Sequence, residues 1–225
     1  MEASSIVVYI FYHAQESEFH KMAHELLRMY ESVIPGSNIH VLAATINNLV
    51  FLHSKDVQNC HRIVHYLGYG KTEGRWPRIL VGGVLKIDLV KYMNSIGSQS
   101  YTLILDCTQL SVPYPDIHKK RNHQINMRKM GLETLLNLRG KNIISSCNSN
   151  KMNFLESYHP NICYSSGQTL FGIAFERAAS IYHEDMRTFL ACINAEMIHL
   201  HSELGNEPPI PCGWLIDSNL FDVFL

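Results

Sequence analysis

The chain has 225 residues, 46% of them hydrophobic, and a formal net charge of -1. That is enough apolar material for a sizeable core in one domain, and no Gly/Ser-rich or Pro-rich linker divides it. A balance so near zero gives no global field toward nucleic acid or a membrane surface, and no apolar run approaches the length of a membrane span.

The amino terminus, MEASSIVVYIF, lacks a basic region and a cleavage site, so no signal peptide is expected. Cysteines stand singly at 60, 107, 147, 163, 192 and 212, without a CxxC pair. Neither a zinc site nor a redox motif follows, and free thiols in a reducing, intracellular compartment, cytoplasmic or nuclear, are expected.

Ser5 to Tyr12 is β-branched and aromatic and predicts a first strand. Phe19, Met22, Ala23, Leu26, Leu27, Tyr30 and Val33 recur at helical spacing and predict a helix packed on a sheet, ended by Pro35-Gly36. Asn38 to Ala44 predicts a second strand. Ile46 to His53 reads equally as a helix or an apolar loop. Ile63 to Leu67 predicts a third strand, stopped by Gly68 and Gly70.

Ile79 to Ile87 predicts a hairpin turning at Gly82-Gly83. Asp88 is placed to start a helix that buries Leu89, Val90, Met93 and Ile96, and Tyr101 to Asp106 predicts a fourth strand. Residues 111–126 have no apolar period and predict a long exposed loop. A helix over about Met127 to Leu138, weakened at Gly131, and a strand over Asn142 to Ser146 follow. Leu170 to Ile181 and Met186 to Met197 predict two further helices. Prolines 208, 209 and 211 break the chain before strand-like residues from Gly213 to Leu225. Helices between strands predict an α/β sandwich.

The strand tips carry the chemistry. In open α/β sheets, ligands bind beyond the carboxyl ends of parallel strands. Here those ends read Gly68-Tyr69-Gly70 and Asp106-Cys107-Thr108. Other groupings lead to plainer readings. Cys60, His61 and His65 suggest a metal, but His61 and His65 on one strand face lie about 13 Å apart, too far for shared ligation. His65 then reads as a hydrogen-bonded core histidine, and Asp106 as an organiser of the strand tip. No cofactor and no metal is expected. His118 to Arg121 with His123, Arg128 and Lys129 forms a basic patch, read as a solvated loop or as a contact for nuclear import or nucleic acid.

YLGYGK, the hairpin and helix after it, LILDCTQL, and NIISSCNSN before GQTLFGIAFERAAS fall in an order that resembles the caspase-like cysteine peptidases, metacaspases included. The resemblance implies one caspase-like domain over residues 1–225, a three-layer α/β/α sandwich with a mostly parallel central sheet. It also implies that Tyr69 falls where the family has its histidine base and Thr108 where it has its cysteine nucleophile. The dyad positions are degenerate, and Cys107 is the fallback nucleophile. Adjacent strand residues face opposite ways, so Cys107 is expected beneath the sheet.

A catalytically inactive caspase-like protein acting as an interaction or regulatory scaffold is the expectation that follows. The alternatives are a cysteine hydrolase using Cys107, or a nucleic-acid-associated adaptor using loop 118–129. In the family's dimerising branch the last strand pairs with its copy. Here the matching segment carries Trp214, Leu220, Phe221 and Phe224, an apolar edge that needs cover. Cover by a second copy of the chain or by a partner protein is expected; the alternative is burial within the same subunit.

Overall fold

The computed structural model of the chain describes residues 6–53, 60–72, 77–108, 130–146, 169–203, 213–216 and 222–223. Strand β1 (Ile6–Tyr12) leads into helix α1 (Ser17–Glu31), and strand β2 (Ile39–Ala43) returns beside β1 in parallel. A single helical turn, α2 (Ile46–Leu49), continues as a 3-10 turn over Val50–His53, so the ambiguous apolar stretch is helical. Its cap is local: the Thr45 hydroxyl accepts from the Asn48 backbone N–H.

Strand β3 (His61–Thr72) lies inside the sheet, with a strand on either side. It pairs in parallel with β1, from Ile6 against His61 to Tyr12 against Leu67. On its other side it pairs in parallel with β6 (Tyr101–Thr108), from Arg62 against Tyr101 to Tyr69 against Thr108. Between them in sequence lie the hairpin strands β4 (Pro77–Val81) and β5 (Leu85–Ile87), and then α3 (Leu89–Ser95). The hairpin turns where expected, with Gly82 and Gly83 at φ 59° and 80°. Asp88 caps α3 by accepting from the Lys91 backbone N–H.

Three expected boundaries change. Neither Gly68 nor Gly70 ends β3; the strand runs on to Thr72 because its last residues, Gly70 to Thr72, pair antiparallel with β4. Strand β6 likewise extends to Thr108. Helix α4 (Gly131–Leu136) begins at the glycine read as its weak point. A Cβ at Gly131 would lie 2.5 Å from the carbonyl oxygens of both Ala178 and Ile181. Only glycine lets this helix end approach the neighbouring backbone so closely.

Strand β7 (Lys141–Ser145) continues the parallel sheet beside β6. Helices α5 (Leu170–Ala179) and α6 (Met186–Glu203) follow, and then β8 (Gly213–Ile216) and β9 (Asp222–Val223) close the sheet as antiparallel neighbours. Ile181, expected on the buried face of α5, lies past its end and is exposed. The spatial order is β2-β1-β3-β6-β7-β8-β9, with the β4-β5 hairpin off this path. The architecture is the expected α/β one, a mostly parallel sheet flanked by helices.

The period of two along each strand separates two cores. Val8, Ile10, Ile63, Leu67, Ile104 and Ile144 face α1, α4, α5 and α6. Tyr9, Phe11, Val64, Tyr66, Leu103 and Leu105 face the other way, against Leu49, Leu52, Leu89 and Met93. Both faces being covered explains why the strands read as continuous apolar runs. Among the described residues, no helix is long and apolar enough to cross a membrane.

Candidate functional site

The β3-β6 register brings the two tips together: Gly68 lies opposite Cys107 and Tyr69 opposite Thr108. The space around them is tight. A Cβ on Gly68 would meet the His13 Cβ and the Tyr66 hydroxyl, each at 2.7 Å. On Gly70 it would meet the Cys107 Cβ at 2.7 Å and its Sγ at 2.8 Å. These glycines serve close approach.

Tyr69 is buried in the core that faces α1. Its ring packs edge-on against His13, with centroids 5.0 Å apart, and against Phe19 at 5.3 Å. Its hydroxyl donates to the Glu16 carboxylate. Glu16 sits at the N-cap of α1 but makes no side-chain cap bond there; its carboxylate is turned to the phenol. The phenol therefore ties the start of α1 to the end of β3.

Cys107 is buried in the opposite core, with Tyr66 and Ile79. It faces away from Tyr69, as strand alternation requires. Its backbone is clasped by Ser146, whose hydroxyl accepts from the Cys107 N–H and donates to the Cys107 carbonyl, both at 3.2 Å. Beside it, the Tyr66 hydroxyl reaches the Tyr69 carbonyl at 2.7 Å and the Leu80 carbonyl at 3.1 Å. Burial, with Cys107 adding to it, pushes the Tyr66 phenol well above its ordinary range. Tyr66 is thus a neutral donor that joins β3 to the hairpin.

Asp106 is fully buried on the α1 side of the sheet. It accepts from the Thr169 hydroxyl at 2.7 Å, and the same hydroxyl oxygen accepts from the Gly172 N–H to cap α5. Asp106 organises the tip by holding a helix start, a partner 63 residues away that no local pattern announces.

The other sequence candidates are dispersed. His61 is buried, with Nδ1 2.7 Å from the Ser100 hydroxyl and Nε2 2.9 Å from the Thr102 hydroxyl. Burial, then the charge of Arg139, pushes its pKa down to about 4. His65 lies in the core, its Nδ1 3.2 Å from the Tyr30 hydroxyl and its ring edge-on to Phe175. Its Nε2 has no hydrogen-bond partner, and burial pushes its pKa down to about 3. Among the described residues, no group of three or more His, Cys, Asp or Glu could hold a metal ion. The basic patch 118–129 and Leu220, Phe221 and Phe224 lie outside the described residues. Trp214 is described by its place in β8, paired with Ile144 on one side and Val223 on the other. The signals that sequence reading missed are His13 and Glu16, which enter the site from the loop between β1 and α1.

Compared with solved structures, the chain is similar to the crystal structure of the Drosophila initiator caspase Dronc. The TM-score is 0.51 at 8% sequence identity, over 86% of this chain and 72% of that one. No family model matches the chain, and no curated protein matches it in sequence. At that identity the likeness is one of fold, and the fold is caspase-like.

Proposed function

We propose that this chain is a binding protein on a caspase-like frame, without peptidase activity, and that its partner is another protein. The observation that carries the reading is the state of the two tips. The residue opposite Thr108 is a phenol bound to a carboxylate, and the thiol of Cys107 is buried on the other face of the sheet. A cysteine peptidase needs a thiolate beside an imidazole that takes and returns a proton. A phenol with an ordinary pKa of about 10 is a poor base at neutral pH. Loss of one triad member costs about 10⁴-fold or more elsewhere.

The carboxyl-terminal edge of the sheet is where we place that partner. Strand β9 lies last in the spatial order, and the segment from Trp214 to Leu225 is rich in apolar residues. An apolar strand at a sheet edge is a template for another chain. We assign the cover to a second copy of the chain or to a partner protein.

Two measurements test this. The purified chain is incubated with a peptide library and with a thiol-directed electrophilic probe. No cleavage is expected, and Cys107 is labelled only after denaturation. Cleavage by the parent chain that disappears in Cys107→Ala would establish the hydrolase instead. Sedimentation of the full chain and of one lacking residues 214–225 addresses the edge. A shift from dimer to monomer is expected, and a monomer in both cases removes the self-association arm.

A further inference from the structure

We infer that His20 and His24 form a two-imidazole site for a late first-row divalent cation, Cu(II) above all. The two residues are four apart on α1, so the helical period sets them one turn apart on the same face. Both are exposed, while Phe19, Met22, Ala23 and Leu26 of the same segment are buried against the sheet. The imidazoles therefore stand on the outer side of a helix whose inner side is fixed. Their Nε2 atoms are 3.0 Å apart, with the rings perpendicular and their centroids 4.5 Å apart. The ring of Tyr12 backs His20 at a centroid distance of 5.0 Å.

The separation is within reach of one chelated ion, and the affinity order favours copper. With metal–nitrogen bonds of about 2.05 Å, nitrogens 3.0 Å apart subtend an angle of about 95° at the ion. A tetrahedral ion, as zinc prefers, would need them about 3.3 Å apart at the same bond length. An angle near a right angle suits the tetragonal coordination of Cu(II) or Ni(II), and the general affinity order places Cu(II) first. In the metal-free protein one Nε2–H donates to the other Nε2. The ion displaces that proton, which passes through water to Nδ1 of the same ring, so that both rings stay neutral and carry their proton on Nδ1. Because the two nitrogens already converge, the second bond forms within the molecule, which is the source of the chelate's affinity. Among the described residues no third His, Cys, Asp or Glu completes a cluster. The site lies apart from the two strand tips and is independent of the binding role proposed above.

The test is a titration of the full chain with Cu(II) chloride in a non-coordinating buffer, read by calorimetry and by electron paramagnetic resonance. One tight equivalent with a tetragonal spectrum and two imidazole nitrogens is expected. His20→Gln or His24→Gln should each weaken that equivalent about 100-fold, the gain that bidentate attachment supplies. The double variant should lose it, and His53→Gln should leave it unchanged. Circular dichroism of each variant checks that the helix is intact. Identical titrations for the parent and the double variant would overturn the site. Zn(II) bound as tightly as Cu(II) would overturn the tetragonal assignment.

Discussion

A single phenol sets the character of the strand tips. Tyr69 contributes an apolar ring to the core and a hydroxyl to Glu16, and both uses commit it to structure. Tyr69→Phe keeps the ring and removes the bond. Because Glu16 is half-buried, the expected loss is about 1 kcal/mol, at the low end for a hydrogen bond to a charged group. Equilibrium urea unfolding of the single variants and of Tyr69→Phe with Glu16→Ala measures the coupling; strictly additive losses would show that the bond contributes nothing. Gly70→Ala should be worse, at about 1–3 kcal/mol, because its methyl overlaps the Cys107 side chain beneath it. Cys107→Ala should cost only about 1 kcal/mol, since one buried sulfur is removed. An unfolding midpoint for Gly70→Ala equal to that of the parent chain would contradict the close approach.

Between elements, the contact of α1 with β3 rests partly on Tyr30 and His65, buried and 3.2 Å apart. His65→Leu strands the Tyr30 hydroxyl in an apolar core and should cost about 1–3 kcal/mol beyond any packing change. Adding Tyr30→Phe removes the stranded group, so the double variant should recover much of that loss. A double variant less stable than either single one would refute the pairing. This contact also shows where sequence reading stops. The strands were legible because both faces of the sheet are covered and their residues are continuously apolar. The tips were legible because short runs ended in glycine and polar residues. Partners such as Tyr30 for His65, or Glu16 for Tyr69, lie 35 and 53 residues apart and follow only from the fold. Gly68 and Gly70 were read as strand stops and Gly131 as a weak point of its helix, whereas here each glycine makes room. The spacing of His20 and His24 was visible, but the turn of the helix was needed to give their nitrogens a distance.

At the scale of the molecule, the two buried histidines tie stability to pH. His61 and His65 have pKa values of about 4 and about 3 in the folded chain, against about 6.5 in the unfolded one. The unfolded chain thus takes up protons first as pH falls. Stabilisation from keeping both rings neutral is complete above about pH 6.5 and is lost progressively toward pH 4 and 3. At pH 5 each ring accounts for about 2 kcal/mol, a large part of an ordinary domain's stability. Urea midpoints should therefore drop between pH 7.5 and pH 5. The drop should be about half as large in the Tyr30→Phe, His65→Leu background. Equal drops in the two backgrounds would remove His65 from the account.

The spatial order of the strands has a consequence for synthesis. Strand β2 joins one side of β1 and β3 the other; β6 then joins β3, β7 joins β6, and β8 and β9 follow in turn. Each strand of this path lands on an open side of the sheet already formed, and no formed pair has to part to admit a later one. Growth by accretion lets the amino-terminal part organise before the rest exists, which shortens the exposure of a parallel, non-local sheet. Ribosome-tethered chains ending after residues 108, 146 and 225 should accordingly gain protease resistance in steps. Resistance that appears only at full length would mean that the sheet waits for its last strands.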